Sequence, residues 1–230
     1  MPKNKNDQIA AIFDLDGTLL DTLPSLIAAA NETMRLMGLP GFGDETVVTF
    51  VGMGWRVFVD RMMDAAGIAD PKTIKLAQET YLETFTRMSS YHVTPFPGIY
   101  ELLVSLKEAG LKIAVVTNKS DKLTPPVMRD AFPEGHELFD ILRGAKRFVP
   151  LKPDPTATFD VLKQLNASPE KSFFIGDSDI DILTGKACGM HTVGVRWGYR
   201  DASELAALNP DLLANTPEEV GHFILKTIRT

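Results

Sequence analysis

Two aspartates stand directly after an apolar segment near the start of the sequence. Asp14 and Asp16 follow residues 9–13 and are themselves followed by Gly17 and Thr18. If the segment is a strand of an open α/β sheet, both acids reach the crevice where such sheets bind ligands. Paired carboxylates in that position can act as nucleophile, acid or base. The structural alternative is an ordinary loop in which an aspartate caps a helix.

A second apolar segment, residues 172–175, ends in a denser group of acids. Gly176 is followed by Asp177, Asp179 and Asp181. Like charges at this density repel each other, and a nearby cation relieves that repulsion. A set of oxygen ligands favours Mg²⁺, which commonly bridges carboxylates and a phosphate. The two acidic segments together predict a magnesium site at the ends of two strands.

A calcium-binding loop would be a different use of either acidic segment. Such a loop requires glycine at its sixth position, where the two segments have Leu19 and Ile182. It also requires an acid at the twelfth position, which is Ser25 in the first segment. The sequence therefore excludes a calcium loop of this type.

Two further positions carry donors that suit phosphate oxygens. Thr117, Asn118 and Lys119 follow the apolar residues 111–116, and Lys152 lies in a proline-rich segment. A hydroxyl, an amide and two ammonium groups can all donate to a phosphate. The ordinary alternatives are a helix cap for the Thr-Asn pair and a solvated surface position for Lys152.

The apolar segments before these residues are typical of buried strands in a parallel sheet. Strands are predicted at residues 9–13, 111–116, 172–175 and 192–195, with a weaker one at 139–142. Apolar residues at helical spacing lie between them, as in the series that begins at Ile99 after Pro97. This alternation predicts an α/β fold with a doubly wound, Rossmann-like parallel sheet.

One interval between predicted strands is too long for a structureless loop, the one that separates the first strand from the second. It contains three series of apolar residues at helical spacing. Residues 21–95 are therefore predicted to form an α-helical cap domain, inserted into an α/β core made of residues 1–20 and 96–230. Thr22 and residues 94–97 are the predicted hinges.

The composition excludes several classes of protein. The sequence has 24 Lys+Arg against 30 Asp+Glu and no basic cluster, which disfavours a nucleic-acid partner. The longest charge-free run, residues 88–100, contains two prolines and is shorter than the ~18 apolar residues of a membrane span. The polar start lacks a secretory signal and Cys188 is the single cysteine, so we expect a cytoplasmic protein.

The four groups of polar residues resemble the motifs of the haloacid dehalogenase superfamily of phosphohydrolases. In sequence order they are Asp14-Leu15-Asp16-Gly17-Thr18, Thr117-Asn118, Lys152 and Gly176-Asp177-Ser178-Asp179-Ile180-Asp181. The resemblance spans the whole chain, and the helical insertion after the first motif is similar to the cap of that superfamily. The dehalogenases themselves match this pattern only at its first aspartate. The second aspartate, Asp16, therefore excludes them. Asp179 departs from the pattern, which usually has no acid there.

Within the superfamily, two segments are most similar to phosphoglycolate phosphatases. These are Thr117-Asn118-Lys119 and Arg196-Trp197-Gly198-Tyr199. The Phe96-Pro97-Gly98 hinge fits a wider group that includes β-phosphoglucomutase and several sugar-phosphate phosphatases. The resemblance thus implies a Mg²⁺-dependent phosphatase acting on a small phosphorylated metabolite, with 2-phosphoglycolate as the expected substrate. A phosphomutase or another sugar-phosphate phosphatase is the alternative.

The resemblance also implies roles for individual residues. Asp14 would be the nucleophile that forms an aspartyl-phosphate and Asp16 the proton shuttle, with Thr117 and Lys152 as the other catalytic residues. The implied metal ligands are Asp14, Asp16 through its backbone carbonyl, Asp177 and Asp181. The protein is expected to act as a monomer or homodimer.

The expected substrate contacts come from the core and from the cap. Gly17, Asn118 and Lys119 are the candidates in the core. In the cap, Arg56 follows the Gly52-Met53-Gly54 turn, and its planar guanidinium would suit a substrate carboxylate. A signalling receiver domain, which also clusters acids with a Thr and a Lys, is disfavoured because it needs only ~120 residues and no cap.

Overall fold

The apolar segments that precede the acidic motifs are strands of one parallel sheet in the computed structural model, which describes residues 8–229. The strands along the chain are β1 (Ala10–Phe13), β2 (Leu20–Asp21), β3 (Thr94–Pro95), β4 (Lys112–Ser120), β5 (Ile141–Ala145), β6 (Phe173–Gly176), β7 (His191–Val195) and β8 (Leu212–Ala214). Six of them form the sheet in the order β5-β4-β1-β6-β7-β8, and β2 pairs with β3 separately. The polar start and Thr230, the outer ends of the predicted core domain, lie outside the described residues.

Alternate residues of β1 face opposite sides of the sheet, and both sides are covered. Ala11 and Phe13 pack in one apolar cluster, whereas Ala10 and Ile12 pack in another. Because both faces are buried, the strand is a continuous apolar run instead of an alternating one. This arrangement confirms the predicted doubly wound α/β fold.

Helices cover the sheet and form the insertion, and the predicted apolar series at helical spacing coincide with four of them. The helices are α1 (Leu23–Leu36), α2 (Asp44–Val48), α3 (Gly54–Ala65), α4 (Pro71–Met88), α5 (Ile99–Glu108), α6 (Thr124–Ala131), α7 (Thr156–Leu165), α8 (Asp179–Ala187), α9 (Ala202–Ala207) and α10 (Pro217–Thr227). The start of α4 shows how the sequence sets a boundary. The Asp70 side chain accepts a 2.9 Å hydrogen bond from the Thr73 amide, and Pro71 opens the helix.

Helices α1 to α4 have an apolar cluster of their own. Its aromatic centre contains Phe58 and Tyr81, whose ring centroids are 5.1 Å apart, and Met34 and Met62 are fully buried beside them. The chain enters and leaves this helical insertion through the antiparallel pair β2 and β3, in which Leu20 is opposite Pro95. We propose that the boundaries between core and cap lie at this pair.

The sheet register brings the acidic motifs to one edge. Phe13, the last residue of β1, is opposite Val115 of β4 and Ile175 of β6. Because all three strands are parallel, the residues that follow them meet at their carboxyl ends. Asp14 continues this pairing, since its amide donates a 2.9 Å hydrogen bond to the carbonyl of Ile175.

Three features of the sheet differ from the sequence prediction. Strand β4 continues to Ser120, with an irregular register after Val116, so Thr117 lies within the strand and not after it. The weak strand predicted at 139–142 is shifted to Ile141–Ala145. Strand β8 was missed because its three residues are too short for a periodicity signal.

No helix within residues 8–229 has the length and hydropathy needed to cross a bilayer.

Candidate active site

Asp14 lies at the centre of the acidic edge and contacts a buried lysine. Lys152 Nζ is 2.8 Å from Asp14 Oδ1 and 2.7 Å from Asp181 Oδ1, so one ammonium is shared by two carboxylates. The Lys152 side chain is only 3% exposed. Asp14 Oδ1 is buried and receives no hydrogen bond of acceptable angle despite this close contact. An oxygen in that condition is available to a further cation.

Asp177 is held in place by two hydrogen bonds from residues that are distant in sequence. Its Oδ1 accepts from the Thr18 hydroxyl at 3.0 Å, and its Oδ2 accepts from the Tyr199 amide at 2.8 Å. A Cβ atom at Gly17 would lie 2.4 Å from Asp177 Oδ2, and the Gly17 φ of +83° is also strained for other residues. Gly17 is therefore required for the close approach of the first and fourth motifs.

Asp181 belongs to both a helix cap and the acidic cluster. Its Oδ2 accepts hydrogen bonds from the Ser178 amide at 3.1 Å and the Ser178 hydroxyl at 2.6 Å, which completes a capping box at the start of α8. Asp14, Asp177 and Asp181 each place one carboxylate oxygen within 4.8 Å of the others. These three residues could hold a metal ion.

Asp179 is not part of this cluster. It is the first residue of α8 and is half-buried. A negative charge in the first turn interacts favourably with the helix macrodipole. This position gives a structural account of the acid that departs from the family pattern.

The electrostatics of the cluster favour added positive charge. Burial, reinforced by the charges of Asp181 and Asp14, raises the pKa of Asp177 to about 8. Burial also raises the pKa of Asp14 to about 6, although the charge of Lys152 opposes the shift. For Lys152, burial lowers the pKa, but the charges of Asp14 and Asp181 outweigh it and the pKa rises. With oxygen-only donors and an Asp14 oxygen that accepts no hydrogen bond, the site fits a hard divalent cation such as Mg²⁺.

Asn118 positions Lys152. Its Oδ1 accepts from the Lys152 amide at 2.9 Å, and its Nδ2 donates to the Lys152 carbonyl at 3.1 Å. The same Nδ2 donates to the Gly52 carbonyl of the cap at 3.0 Å. A contact between the Asn118 side chain and substrate stays a prediction, because these three partners already use its donors and its oxygen.

Lys119 is buried against the predicted proton shuttle. Lys119 Nζ donates a 3.0 Å hydrogen bond to Asp16 Oδ1 and lies 4.7 Å from the centroid of the Phe85 ring in the cap. The pair orients Asp16 towards the cleft between core and cap, which both residues line. The predicted ligation of a metal through the Asp16 carbonyl stays a prediction.

The remaining core candidates differ in their availability. Thr117 is buried, lines the cleft, and its hydroxyl accepts a 3.2 Å hydrogen bond from the Lys119 amide. The Gly17 amide donates to the Leu20 carbonyl at 2.9 Å. Its predicted contact with substrate stays a prediction, and the contribution that the structure supports is the close approach to Asp177.

The cleft above these residues has an empty volume of about 770 Å³, which includes space open to solvent. Its core side is polar and contains three of the catalytic candidates, Asp14, Asp16 and Thr117. Its cap side is apolar and is lined by Leu26, Val51, Trp55, Phe58, Tyr81, Leu82 and Phe85. Gly52 and Gly54 also line it.

Arg56 is a predicted substrate contact that the structure does not bring into the cleft. Arg56 is exposed, and its guanidinium carbon lies 4.5 Å from the centroid of the Trp55 ring. Neighbouring residues on a helix point about 100° apart. Because Trp55 lines the cleft, the side chain that follows it on α3 is directed elsewhere.

The sequence analysis missed a basic residue that does line the cleft, Arg200. It directly follows the 196–199 segment, whose resemblance to phosphoglycolate phosphatases was the available signal. In the same loop the Tyr199 hydroxyl accepts hydrogen bonds from the amides of Thr22 and Leu23 at 2.7 and 2.9 Å. This loop therefore contacts both the acidic cluster and the start of the cap.

The geometry can be compared with known proteins. Residues 11–195 match the family of haloacid dehalogenase-like hydrolases. The phosphoglycolate phosphatase of Psychrobacter arcticus is 32% identical over 209 residues, which cover 89% of this chain and 90% of the relative. A protein of Lactobacillus delbrueckii subsp. bulgaricus, provisionally named phosphoglycolate phosphatase, has a similar crystal structure, with a TM-score of 0.84 and 29% identity over 94% of this chain and 98% of that one.

A crystal structure with another provisional name is also similar. A protein of Thermotoga maritima provisionally named β-phosphoglucomutase matches with a TM-score of 0.74 and 26% identity, covering 95% of this chain and 99% of that one.

The chain belongs to the haloacid dehalogenase-like hydrolase family. Within that family it is a phosphatase, an enzyme that hydrolyses phosphoric monoesters.

Proposed function

We propose that this enzyme is a Mg²⁺-dependent phosphatase that hydrolyses 2-phosphoglycolate through an aspartyl-phosphate on Asp14. The observation that carries the proposal is the buried cluster in which Asp14, Asp177 and Asp181 lie within 4.8 Å of one another around Lys152. The relative in Psychrobacter arcticus, named for phosphoglycolate hydrolysis, supports the choice of substrate.

In the first step, a carboxylate oxygen of Asp14 attacks phosphorus and the bond between phosphorus and the alkoxide oxygen breaks. Asp16 donates its proton to the departing alkoxide, which leaves as glycolate. Lys119 holds Asp16 at 3.0 Å for this transfer. Lys152 contributes one positive charge beside Asp14 as negative charge spreads over the transferring group.

In the second step, Asp16 takes a proton from water, and the water oxygen attacks the phosphorus of the aspartyl-phosphate. The bond between phosphorus and the Asp14 oxygen breaks, which releases inorganic phosphate and restores both aspartates. When bound, Mg²⁺ would neutralise charge on the phosphate and on the carboxylates that hold it, Asp14, Asp177 and Asp181.

The cap would exclude bulk water and set specificity during these steps. Its apolar wall faces the polar core across the cleft. The cytoplasm is the compartment we propose, because the single cysteine, Cys188, is buried and free. The oligomeric state, monomer or homodimer, stays a prediction.

A panel of small phosphate esters, assayed with Mg²⁺ and with excess chelator, tests the proposal. We expect 2-phosphoglycolate to give the highest kcat/KM and chelator to abolish phosphate release. Undiminished activity in chelator would rule out the requirement for Mg²⁺. A preference for a sugar phosphate would rule out 2-phosphoglycolate as the main substrate. The Thermotoga maritima likeness makes a phosphomutase the second candidate. Phosphate release without a bisphosphate primer distinguishes the two.

A further inference from the structure

We propose that Arg200 recognises the substrate carboxylate and is the residue that determines specificity for 2-phosphoglycolate. This inference rests on the proposed function and assigns the contact to a residue outside the four motifs. Within the part of the chain that the structure describes, the cationic side chains that line the cleft are Lys119 and Arg200.

Lys119 is already committed to another role. Its ammonium is bonded to Asp16, and its side chain is only 2% exposed, packed against Phe85. Moving Lys119 to a substrate would leave Asp16 without its partner. The buried ammonium is therefore better suited to orient the proton shuttle than to bind a ligand.

Arg200 has free hydrogen-bonding capacity. A guanidinium carries five N–H donors, and the acceptor it meets among residues 8–229 is the Val51 carbonyl, 2.7 Å from Nη2. The residue is half-buried at the wall of the cleft. The remaining edge of its planar fork matches a carboxylate, which can accept two parallel hydrogen bonds.

The loop that carries Arg200 is fixed against the acidic cluster. The preceding amide, that of Tyr199, donates to Asp177 Oδ2 at 2.8 Å. A Cβ atom at Gly198 would lie 2.2 Å from Asp177 Cβ, so only glycine allows this contact. The backbone next to Arg200 is thus positioned by one of the candidate metal ligands.

The guanidinium contacts the same cap segment as the residue that positions Lys152. Arg200 binds the carbonyl of Val51, and Asn118 binds that of the next residue, Gly52, while holding the Lys152 backbone. Arg200 and Asn118, which positions Lys152, therefore donate to the carbonyls of two consecutive cap residues. In 2-phosphoglycolate a single CH₂ separates the ester oxygen from the carboxylate, so the cation that binds the carboxylate has to come from a segment next to the phosphate site.

The apolar cap wall makes this contact selective. A carboxylate that enters a cleft lined by Leu26, Phe58 and Phe85 loses water and gains no hydrogen bond from those side chains. A paired cation compensates this desolvation, and of the two cationic side chains among residues 8–229 that line the cleft, Arg200 is the one that is not bonded to a carboxylate. An ester without a carboxylate does not require the guanidinium.

Arg200→Ala and Arg200→Lys test the proposal on 2-phosphoglycolate and on ethyl phosphate, which has no carboxylate. Arg196→Ala is the matched control, since Arg196 is in the same loop, is exposed and bonds Asn215. We expect Arg200→Ala to lower kcat/KM for 2-phosphoglycolate at least ~10-fold while ethyl phosphate changes less than ~2-fold. The lysine variant should retain more activity on 2-phosphoglycolate than the alanine variant but less than wild type. Arg196→Ala should keep the wild-type ratio of kcat/KM between the two esters.

Equal losses on both esters would overturn the proposal, because they would assign Arg200 to holding the cap through Val51. An unchanged ratio of kcat/KM between the two esters in Arg200→Ala would also overturn it.

A second measurement does not depend on turnover of 2-phosphoglycolate. In wild type, 3-phosphonopropionate should inhibit hydrolysis of an aryl phosphate more strongly than propylphosphonate, and Arg200→Ala should remove that advantage.

The inhibition assay separates the two proposals. If wild type does not hydrolyse 2-phosphoglycolate but prefers the carboxylate inhibitor, and this preference is lost in Arg200→Ala, the proposed function fails and the role of Arg200 stands. If wild type hydrolyses 2-phosphoglycolate and Arg200→Ala retains the inhibitor preference, the role of Arg200 fails alone.

Discussion

At the scale of single residues, the two aspartates of the first motif have different surroundings. Asp14 contacts Lys152 and shares the acidic cluster, whereas Asp16 pairs with Lys119 outside that cluster. The two residues are two positions apart after the same strand but meet different ammonium groups. This difference is the structural basis for giving one the attack on phosphorus and the other the proton.

Asparagine substitutions distinguish these roles. Asp14→Asn should lower kcat by ~10⁴-fold or more, because a neutral amide cannot attack phosphorus. Asp16→Asn should lower it by ~10²–10⁴-fold, as expected for one proton-transfer group, and should accumulate aspartyl-phosphate that acid quenching traps. Asp179→Asn is the control and should retain activity, since Asp179 lies outside the cluster. A trapped intermediate in Asp14→Asn would contradict the assignment.

Gly17 provides a second test at this scale. Gly17→Ala should raise the Mg²⁺ concentration for half-maximal activity by ~10-fold or more, because its Cβ would displace Asp177 Oδ2. Gly67→Ala is the matched control: Gly67 also has a positive φ, +72°, but has no atom within 4 Å of the added Cβ. Both variants should lose ~1–2 kcal/mol of unfolding free energy from backbone strain. Only Gly17→Ala should change the metal requirement.

At the scale of elements, the loop after β7 connects three parts of the site. Trp197 Nε1 donates to the Thr18 carbonyl at 3.0 Å, the Tyr199 amide binds Asp177, and the Tyr199 hydroxyl meets the start of α1. Arg200 reaches the cap at Val51. One short segment therefore links the first motif, the fourth motif and the cap.

Tyr199→Phe should weaken the start of the cap. The substitution leaves the Thr22 amide without its acceptor and the Leu23 amide with Asp21 Oδ1 alone, at 3.2 Å, which should cost ~1–3 kcal/mol of unfolding free energy in a urea titration. Activity should fall by a similar factor on every ester, because the hydroxyl contacts the backbone of the cap and not the substrate. Tyr91→Phe is the control, since Tyr91 is 51% exposed. A loss confined to 2-phosphoglycolate would instead place Tyr199 in substrate recognition.

At the scale of the whole molecule, the core and the cap each have their own apolar clusters, and the cleft lies where they meet. At this junction the pKa values of Asp14 and Asp177 are raised, so ionising these two carboxylates opposes folding. The stability of the metal-free protein therefore depends on pH.

The metal-free protein should lose stability as pH rises from about 4 to about 8. The ordinary pKa of both acids is 3.8, whereas the folded-state pKa is about 6 for Asp14 and about 8 for Asp177. The folded state therefore holds more protons than the unfolded state in this window, and unfolding becomes easier as pH increases. Thermal melts in chelator should show a Tm at least ~5 °C lower at pH 8 than at pH 5.

Added Mg²⁺ should reverse this trend, since a cation favours the ionised carboxylates and binds more tightly as their protons leave. Asp177→Asn should flatten the pH dependence measured in chelator, and Asp160→Asn, which changes an exposed acid, should not. A Tm that rises with pH in the metal-free wild type would contradict the elevated pKa values.

The sequence by itself determined the fold class, the helical insertion and the four groups of candidate residues. Each of these depends on local patterns: apolar runs for buried strands, helical spacing for the cap, and acids placed at strand ends. Parallel strands then bring their carboxyl ends to one edge, so the meeting of Asp14 and the acids after β6 could be anticipated without coordinates. Lys152 was placed with them only by the family resemblance.

Only the tertiary structure decided which partners those residues have. That Asn118 holds the backbone of Lys152, that Asp179 serves a helix start, and that Arg200 instead of Arg56 lines the cleft depend on loop paths and helix rotation. Val51 and Arg200 are 149 positions apart in the chain, and no periodicity links residues at such separation. Contacts of this kind arise from how the core and cap pack together, a property that local sequence patterns do not encode.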